Sequence, residues 1–163
     1  VITGANSLRV TRSVSNTKNN KGVYPHWFIF TQKGLEPDLE FWAQVGIPRT
    51  IVSSQKTNLT TEQLAGSLSS LQIPQEKIGA ELIGFMSKSQ MRRVLLFGGG
   101  HINRIFYQEN LVDELKLTVA PFVFTGADAP PLISDFEGEA IKFSLLSSHI
   151  GESHVFLHYK VIK

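Results

Sequence analysis

In this 163-residue chain the residues able to do chemistry sit at the ends of apolar runs. Gly98, Gly99, Gly100 and His101 follow Val94 to Phe97, which read as a short buried strand. They precede Ile102, Ile105 and Phe106, which recur at helical spacing, with Asn110 as the stop. A strand that passes through bare backbone into a helix aims unpaired N–H groups and a positive helix end at one spot. That spot suits a phosphate, and glycine lets the phosphate approach because no Cβ intervenes. On the glycines alone, a tight turn that binds nothing fits equally well.

Three other apolar runs end in small or polar residues: Gly4-Ala5-Asn6-Ser7, Thr31-Gln32-Lys33-Gly34 and Ser53-Ser54-Gln55-Lys56. Each by itself reads more readily as a helix cap or a solvated turn. Other chemistries lack their residues. Without cysteine there is no thiolate nucleophile, disulfide or zinc–thiolate site. His154 and His158 share a strand face, yet no third ligand has metal-site spacing, so no metal site is expected. No Gly-x-Ser-x-Gly elbow or Walker lysine occurs. Asp113 and Glu114 are adjacent and point to opposite faces of a strand. No residue qualifies as a catalytic acid or base.

The elements that must position these turns alternate. Strands are expected at Val1–Thr3, Trp27–Phe30, Arg49–Ser54 and Leu68–Ile73. Helices are expected after Gly4, from Thr60-Thr61-Glu62 to before Gly66, and over Lys77–Lys88. Pro37 to Val45 reads as a short helix or irregular segment, and Ser13 to Gly22 as an exposed loop. After the central glycines, Asp113–Val119 alternates as a half-open strand and Phe122–Phe124 continues extended. Gly126–Gly138 reads as a loop. Ile141–Ile150 and Ser153–Ile162 form a closing antiparallel hairpin around Gly151-Glu152. This order predicts one α/β domain with a mainly parallel sheet and an antiparallel edge. In such a sheet ligands bind beyond the carboxyl ends of the strands, so all four polar turns would line one nucleotide groove.

Composition agrees with a globular domain: 42% hydrophobic, 18% charged, net charge +2. Basic residues are scattered, Arg92-Arg93 being the only tight pair, which argues against nucleic acid. No apolar run approaches a membrane span and no signal-peptide pattern appears. The absence of cysteine favours a reducing compartment, read as the cytoplasm.

The stretch VLLFGGGHINRIFYQENLVDELKLTVAPFVFTG closely resembles the reductase domain of riboflavin-biosynthesis deaminase–reductases, within the dihydrofolate-reductase-like superfamily. VITGANSLR is similar to that family's Gly-Ala-x-Thr-Leu-Arg segment, and FLHYKV to its last strand. The resemblance implies a three-layer fold and an NADPH-dependent reductase of a ribosylaminopyrimidine phosphate. It implies that Gly98, Gly99, Gly100, His101 and Ile102 hold the pyrophosphate, with a cis peptide between Gly98 and Gly99. Gly4, Ala5, Asn6 and Ser7 would line the phosphate and ribose side. Thr31, Lys33, Ser53 and Ser54 would face the adenosine end, with Lys33 or Lys56 toward a 2′-phosphate. The family's acid before the glycines is Phe97 here, on the substrate side, and its Asp-Asp-Pro is replaced by Val10-Thr11-Arg12. Those departures point to an altered substrate or to a diverged, non-catalytic nucleotide-binding protein. The resemblance further implies a strand and helix before Val1, and pairing of exposed strand edges in a homodimer.

Overall fold

The computed structural model describes every residue except 61–62, 64–66, 124 and 126–128. The expected helix start at Thr61-Glu62, its end near Gly66, and the extended reading at Phe124 fall largely outside the described residues. At the border, Thr60 and Gln63 exchange hydrogen bonds, Gln63 N donating to Thr60 Oγ1 and Thr60 N to Gln63 Oε1. That is a reciprocal helix-start cap.

The fold is α/β. Four parallel strands stand in chain order: β1 (Ile2–Gly4), β2 (Trp27–Phe30), β3 (Arg49–Ser53) and β4 (Leu68–Gln72). The register sets Gly4 beside Phe30, Phe30 beside Val52, and Val52 beside Leu71, so the strands end level. On the outer side of β1 runs the segment Val94 to Phe97. Leu96 bridges Ile2 in parallel, Ile2 N donates to the Leu95 carbonyl, and Phe97 N donates to the Ile2 carbonyl. The expectation of a buried strand there is corrected. Only one bridge forms, and Leu95 and Phe97 are exposed, because this segment is the sheet's edge and nothing among the described residues pairs its other side.

Layers form on both faces because the strand pattern is apolar on both. On one face Leu8 of α1 (Ala5–Thr11) and Phe41 from a tight helical turn at Glu40–Ala43 pack on Trp27, Ile29 and Ile51. On the other, Ile78, Leu82 and Met86 of α2 (Ile78–Lys88) and Phe106 of α3 (Gly100–Gln108) pack on Ile2, Phe28, Phe30 and Val52. Asn110 takes a left-handed φ of 54° just past α3, and Asn110 N donates to the Tyr107 carbonyl. It is therefore the stop its residue type predicts.

The C-terminal part is a separate antiparallel sheet of β5 (Glu114–Val119), β6 (Lys142–Ile150) and β7 (Val155–Ile162), in the order β5-β7-β6. The predicted hairpin of β6 and β7 forms, with a bulge between Leu145 and Ser147. Its apolar side meets α3 through Tyr107, Phe143 and Tyr159. Within this sheet the outer edges of β5 and β6 stay unpaired among the described residues.

The start of the predicted Ser13–Gly22 loop is less free than expected. Val14 is buried, and Gln44 clamps it by accepting from its N–H and donating to its carbonyl.

Candidate functional site

The chain order of the parallel sheet creates a crevice. After β1 the chain rises into α1 on one face. After β4 it returns to the opposite edge, passes through Phe97 beside β1, and rises into α3 on the other face. Adjacent strand ends whose helices depart to opposite faces leave a gap between them, and α/β sheets bind ligands there.

Two of the predicted turns, Gly4-Ala5-Asn6-Ser7 and Gly98-Gly99-Gly100, border this gap. They are neighbours: a Cβ at Gly4 would lie 3.4 Å from Cγ1 of Ile102, in the first turn of α3. Thr31 and Ser53 end the neighbouring strands along the same edge. The arrangement brings all four turns to one side of the sheet.

The three central glycines are not equivalent. A Cβ on Gly98 would lie 2.6 Å from Asn103 Oδ1 and 2.8 Å from Ile102 Cβ. A Cβ on Gly100 would collide with Ser134 Oγ and lie 2.9 Å from Ser134 N and 3.0 Å from the Pro131 carbonyl. Both are therefore required by internal packing. Gly99, the residue that caps α3 with an extended φ of −99°, has nothing within 4 Å of its Cβ position, and α3 has no side-chain cap. The open main chain is thus at Gly99. The peptide bond between Gly98 and Gly99 is trans, which corrects the cis bond implied by the resemblance. Trans is lower in energy by roughly 3 kcal/mol for a non-proline residue.

The loop from Pro131 to Asp135 lies across the start of α3. Ser134 N donates to the Gly100 carbonyl at 3.2 Å, and Asn103 Nδ2 donates to the Leu132 carbonyl at 2.7 Å. His101 is exposed, with Nδ1 3.9 Å from the Asp135 carboxylate. The sequence signal for this loop was only the length of the connection, which exceeds what a plain turn needs.

Among the remaining predicted residues, Ala5 is buried and contributes packing. Asn6 Oδ1 accepts from Arg9, which is also paired with Glu36 at 2.6 Å. That guanidinium hydrogen bond holds the Glu36 carboxyl below the usual carboxylate range. Buried Thr31 donates to the Gly34 carbonyl, and buried Ser53 Oγ accepts from Gln55 N. Both hydroxyls serve their own turns. Lys33 and Lys56 are exposed. Ser54 lines a hollow of about 500 Å³ with Gln72, Pro74 and Glu76, so the charged group in that hollow is an acid rather than either lysine.

A second cavity, about 450 Å³, opens on the α1 side of the crevice and is lined by Thr3, Ser7, Thr11, Ser13, Trp27 and Phe97, among others. Phe97 stands 62% exposed, its ring stacked 6.5 Å from that of Trp27 at 20°. Thr11, Ser13 and Trp27 line this cavity without having been expected there, and the Thr11 hydroxyl bonds the Ser7 and Ser13 carbonyls. Trp27 looked like core, which it also is, and the hydroxyl residues follow no spacing rule because a helix end carries them to the cavity. No group of His, Asp or Glu able to hold a metal occurs among the described residues. No helix among them is long and apolar enough to cross a membrane.

Comparison with known proteins gives the family and the fold. The chain belongs to the RibD C-terminal domain family, whose profile matches residues 1–156. A pyrimidine reductase-like protein from Corynebacterium diphtheriae has the same fold, with a TM-score of 0.80 and 16% identity over 99% of this chain and 75% of that one. RibD from Acinetobacter baumannii aligns at TM-score 0.75 and 22% identity over 99% of this chain and 46% of its own. The riboflavin biosynthesis reductase Rib7 of Saccharomyces cerevisiae aligns at 0.71 and 15%, over 99% and 74%. The chain therefore spans less than half of a RibD protein. The fold is the dihydrofolate-reductase-like one expected from the sequence.

Proposed function

We propose that the protein is an NADPH-dependent reductase of the riboflavin-pathway type, acting on the sugar of a ribosylated pyrimidine. The observation that carries this reading is the crevice between β1 and the Phe97 segment, where open main chain at Gly99 follows two residues after Phe97, which lines the cavity. A dinucleotide fits the first and a small heterocycle the second. Gly99 and the first turn of α3 would hold the pyrophosphate, with Gly4 and Ser7 on its other side and Ser54 toward the adenosine. When bound, NADPH would supply a hydride to C1′ of the sugar's open-chain imine form, with a solvent proton taken up at the nitrogen, to give a ribityl chain and NADP⁺. The chain's own contribution is orientation, with Phe97 forming an apolar wall beside the reacting carbon.

Glu76 in the Ser54 hollow favours a second reading for the cofactor. An acid there accepts from a free ribose 2′-hydroxyl and repels a 2′-phosphate, so NADH is the alternative. Calorimetric titration with each nucleotide tests both. Binding of NADPH at least tenfold tighter than NADH supports the first reading, and the reverse order supports the second. Absence of heat with either removes the reductase proposal. Binding without oxidation of cofactor in the presence of ribosylaminopyrimidines would identify a non-catalytic member of the fold. We further propose a homodimer, in which a second copy covers the free edges of β5 and β6 and exposed Leu117, Val119, Leu145 and Ile150. Sedimentation would show a single species of twice the chain mass.

A further inference from the structure

Resting on the reductase reading, we infer that Asn103 is a positioning residue: through the loop Pro131–Asp135 it holds the glycine turn in the shape that receives a pyrophosphate. The turn itself creates the need. Gly98, Gly99 and Gly100 are consecutive and bring no side chain to anchor them, and α3 begins with no side-chain cap. A glycine backbone has more conformational freedom to lose than any other. If the ligand had to order this turn, affinity would fall by that cost.

Asn103 holds the turn from inside the helix. Its main-chain N–H donates to the Gly99 carbonyl at 3.0 Å. Its side chain folds back on Gly98, where Oδ1 lies 2.6 Å from the place a Cβ would take. The other end of the same amide reaches outward, and Nδ2 donates to the Leu132 carbonyl at 2.7 Å. The loop that carries Leu132 then closes over the next glycine, with Ser134 N donating to the Gly100 carbonyl at 3.2 Å. Asp135 turns the chain with a left-handed φ of 48° and accepts from Arg104 Nη1 on its carbonyl at 3.4 Å. One planar amide therefore joins Gly98 to the loop that fixes Gly100, and Gly99 is held between the two. A binding site keeps its geometry when supporting contacts of this sort lock the groups that touch the ligand. The amide has to be a donor: a carboxylate of the same shape would set oxygen against the Leu132 carbonyl oxygen.

The test compares the unaltered chain with Asn103→Ala and Asn103→Asp. Calorimetry with NADPH is set beside calorimetry with adenosine 2′-phosphate, which keeps the adenosine end and lacks the pyrophosphate. NADH and adenosine replace them if the unaltered chain prefers NADH. Both variants should lose about tenfold in dinucleotide affinity, the effect of ordering roughly one residue's backbone on binding, and hold the adenosine fragment within about twofold. With no ligand present, hydrogen exchange at the Ser134 amide should quicken by about tenfold or more in both variants. A merely structural role predicts a lower melting temperature and equal losses for the two ligands, and that pattern overturns the inference. Full dinucleotide affinity in either variant overturns it too, as does an unchanged Ser134 exchange rate. If the unaltered chain binds no dinucleotide, the reductase reading falls. Inorganic pyrophosphate then serves as the probe, and the Ser134 exchange rate still decides whether Asn103 holds the loop.

Discussion

The three central glycines separate packing from binding, and alanine at each position measures which is which. At Gly100 a methyl group would collide with Ser134 Oγ and meet Ser134 N at 2.9 Å and the Pro131 carbonyl at 3.0 Å. The serine oxygen can rotate away, but the two main-chain atoms must move with the whole Pro131–Asp135 loop. Overpacking of this kind costs about 1–3 kcal/mol, or roughly 3–9 °C in melting temperature for a domain of this size. At Gly99 nothing lies within 4 Å. Alanine there loses some helix-capping preference and gains from a less flexible unfolded chain, two opposing effects that leave about 1 kcal/mol or less. Yet Gly99 is where a phosphate would approach the main chain. Gly99→Ala should therefore melt within about 3 °C of the parent while losing at least tenfold in NADPH affinity. Gly100→Ala should melt lower and recover much of its loss when cofactor is added. Paired thermal melts and calorimetric titrations provide the assay. A Gly99→Ala protein with unaltered NADPH affinity would refute the idea that open main chain forms the cradle.

Arg49 is 1% exposed and donates to the carbonyls of Phe41, Gln44 and Ile47, with its guanidinium 4.9 Å from the Phe41 ring centre. Arg49→Ala strands those acceptors and should cost about 3–5 kcal/mol in urea unfolding, with Arg49→Lys recovering only a part. Glu109 caps α2 from outside by accepting from Gly79 N at 3.2 Å and Ala80 N at 2.7 Å. Glu109→Ala should lower stability by about 1–2 kcal/mol in the same measurement, and Glu109→Gln by less. His26 stacks on Phe28 at 4.4 Å and hydrogen-bonds Thr50 at 2.7 Å, and burial holds its pKa below the usual 6.5. The unfolded chain then binds the proton more readily, so this contribution is complete above the usual histidine value and is lost as pH falls through it. Melting temperatures measured from roughly pH 7 to pH 5 should fall less steeply for His26→Gln than for the parent.

Local physics was legible before any coordinates. Trp27–Phe30 announces a buried strand because four consecutive β-prone side chains must be covered on both faces. Pro74 ends β4 because it cannot continue a ladder, and Asn110 stops α3 because it tolerates a left-handed φ. The glycine-to-helix junctions after β1 and Phe97 were read from residue type for the same reason, since only a bare backbone makes those turns so tightly. The partition of Gly98, Gly99 and Gly100 into two packing residues and one open one was not legible. It depends on how Asn103, in the first turn of α3, folds back on Gly98, and on Ser134, more than thirty positions along the chain.

The sequence by itself determined where the chain bends, what each bend exposes, and the family to which those bends belong, because these follow from side-chain shape and backbone freedom within a few residues. Strand order was decided only in three dimensions. Placing Phe97 beside Thr3, rather than beyond β4, sends α1 and α3 to opposite faces and opens the crevice. That placement is a balance of burial over the whole sheet, which no short stretch of residues encodes. The same balance brings hydroxyl residues from α1 and its following loop to the cavity that Phe97 lines.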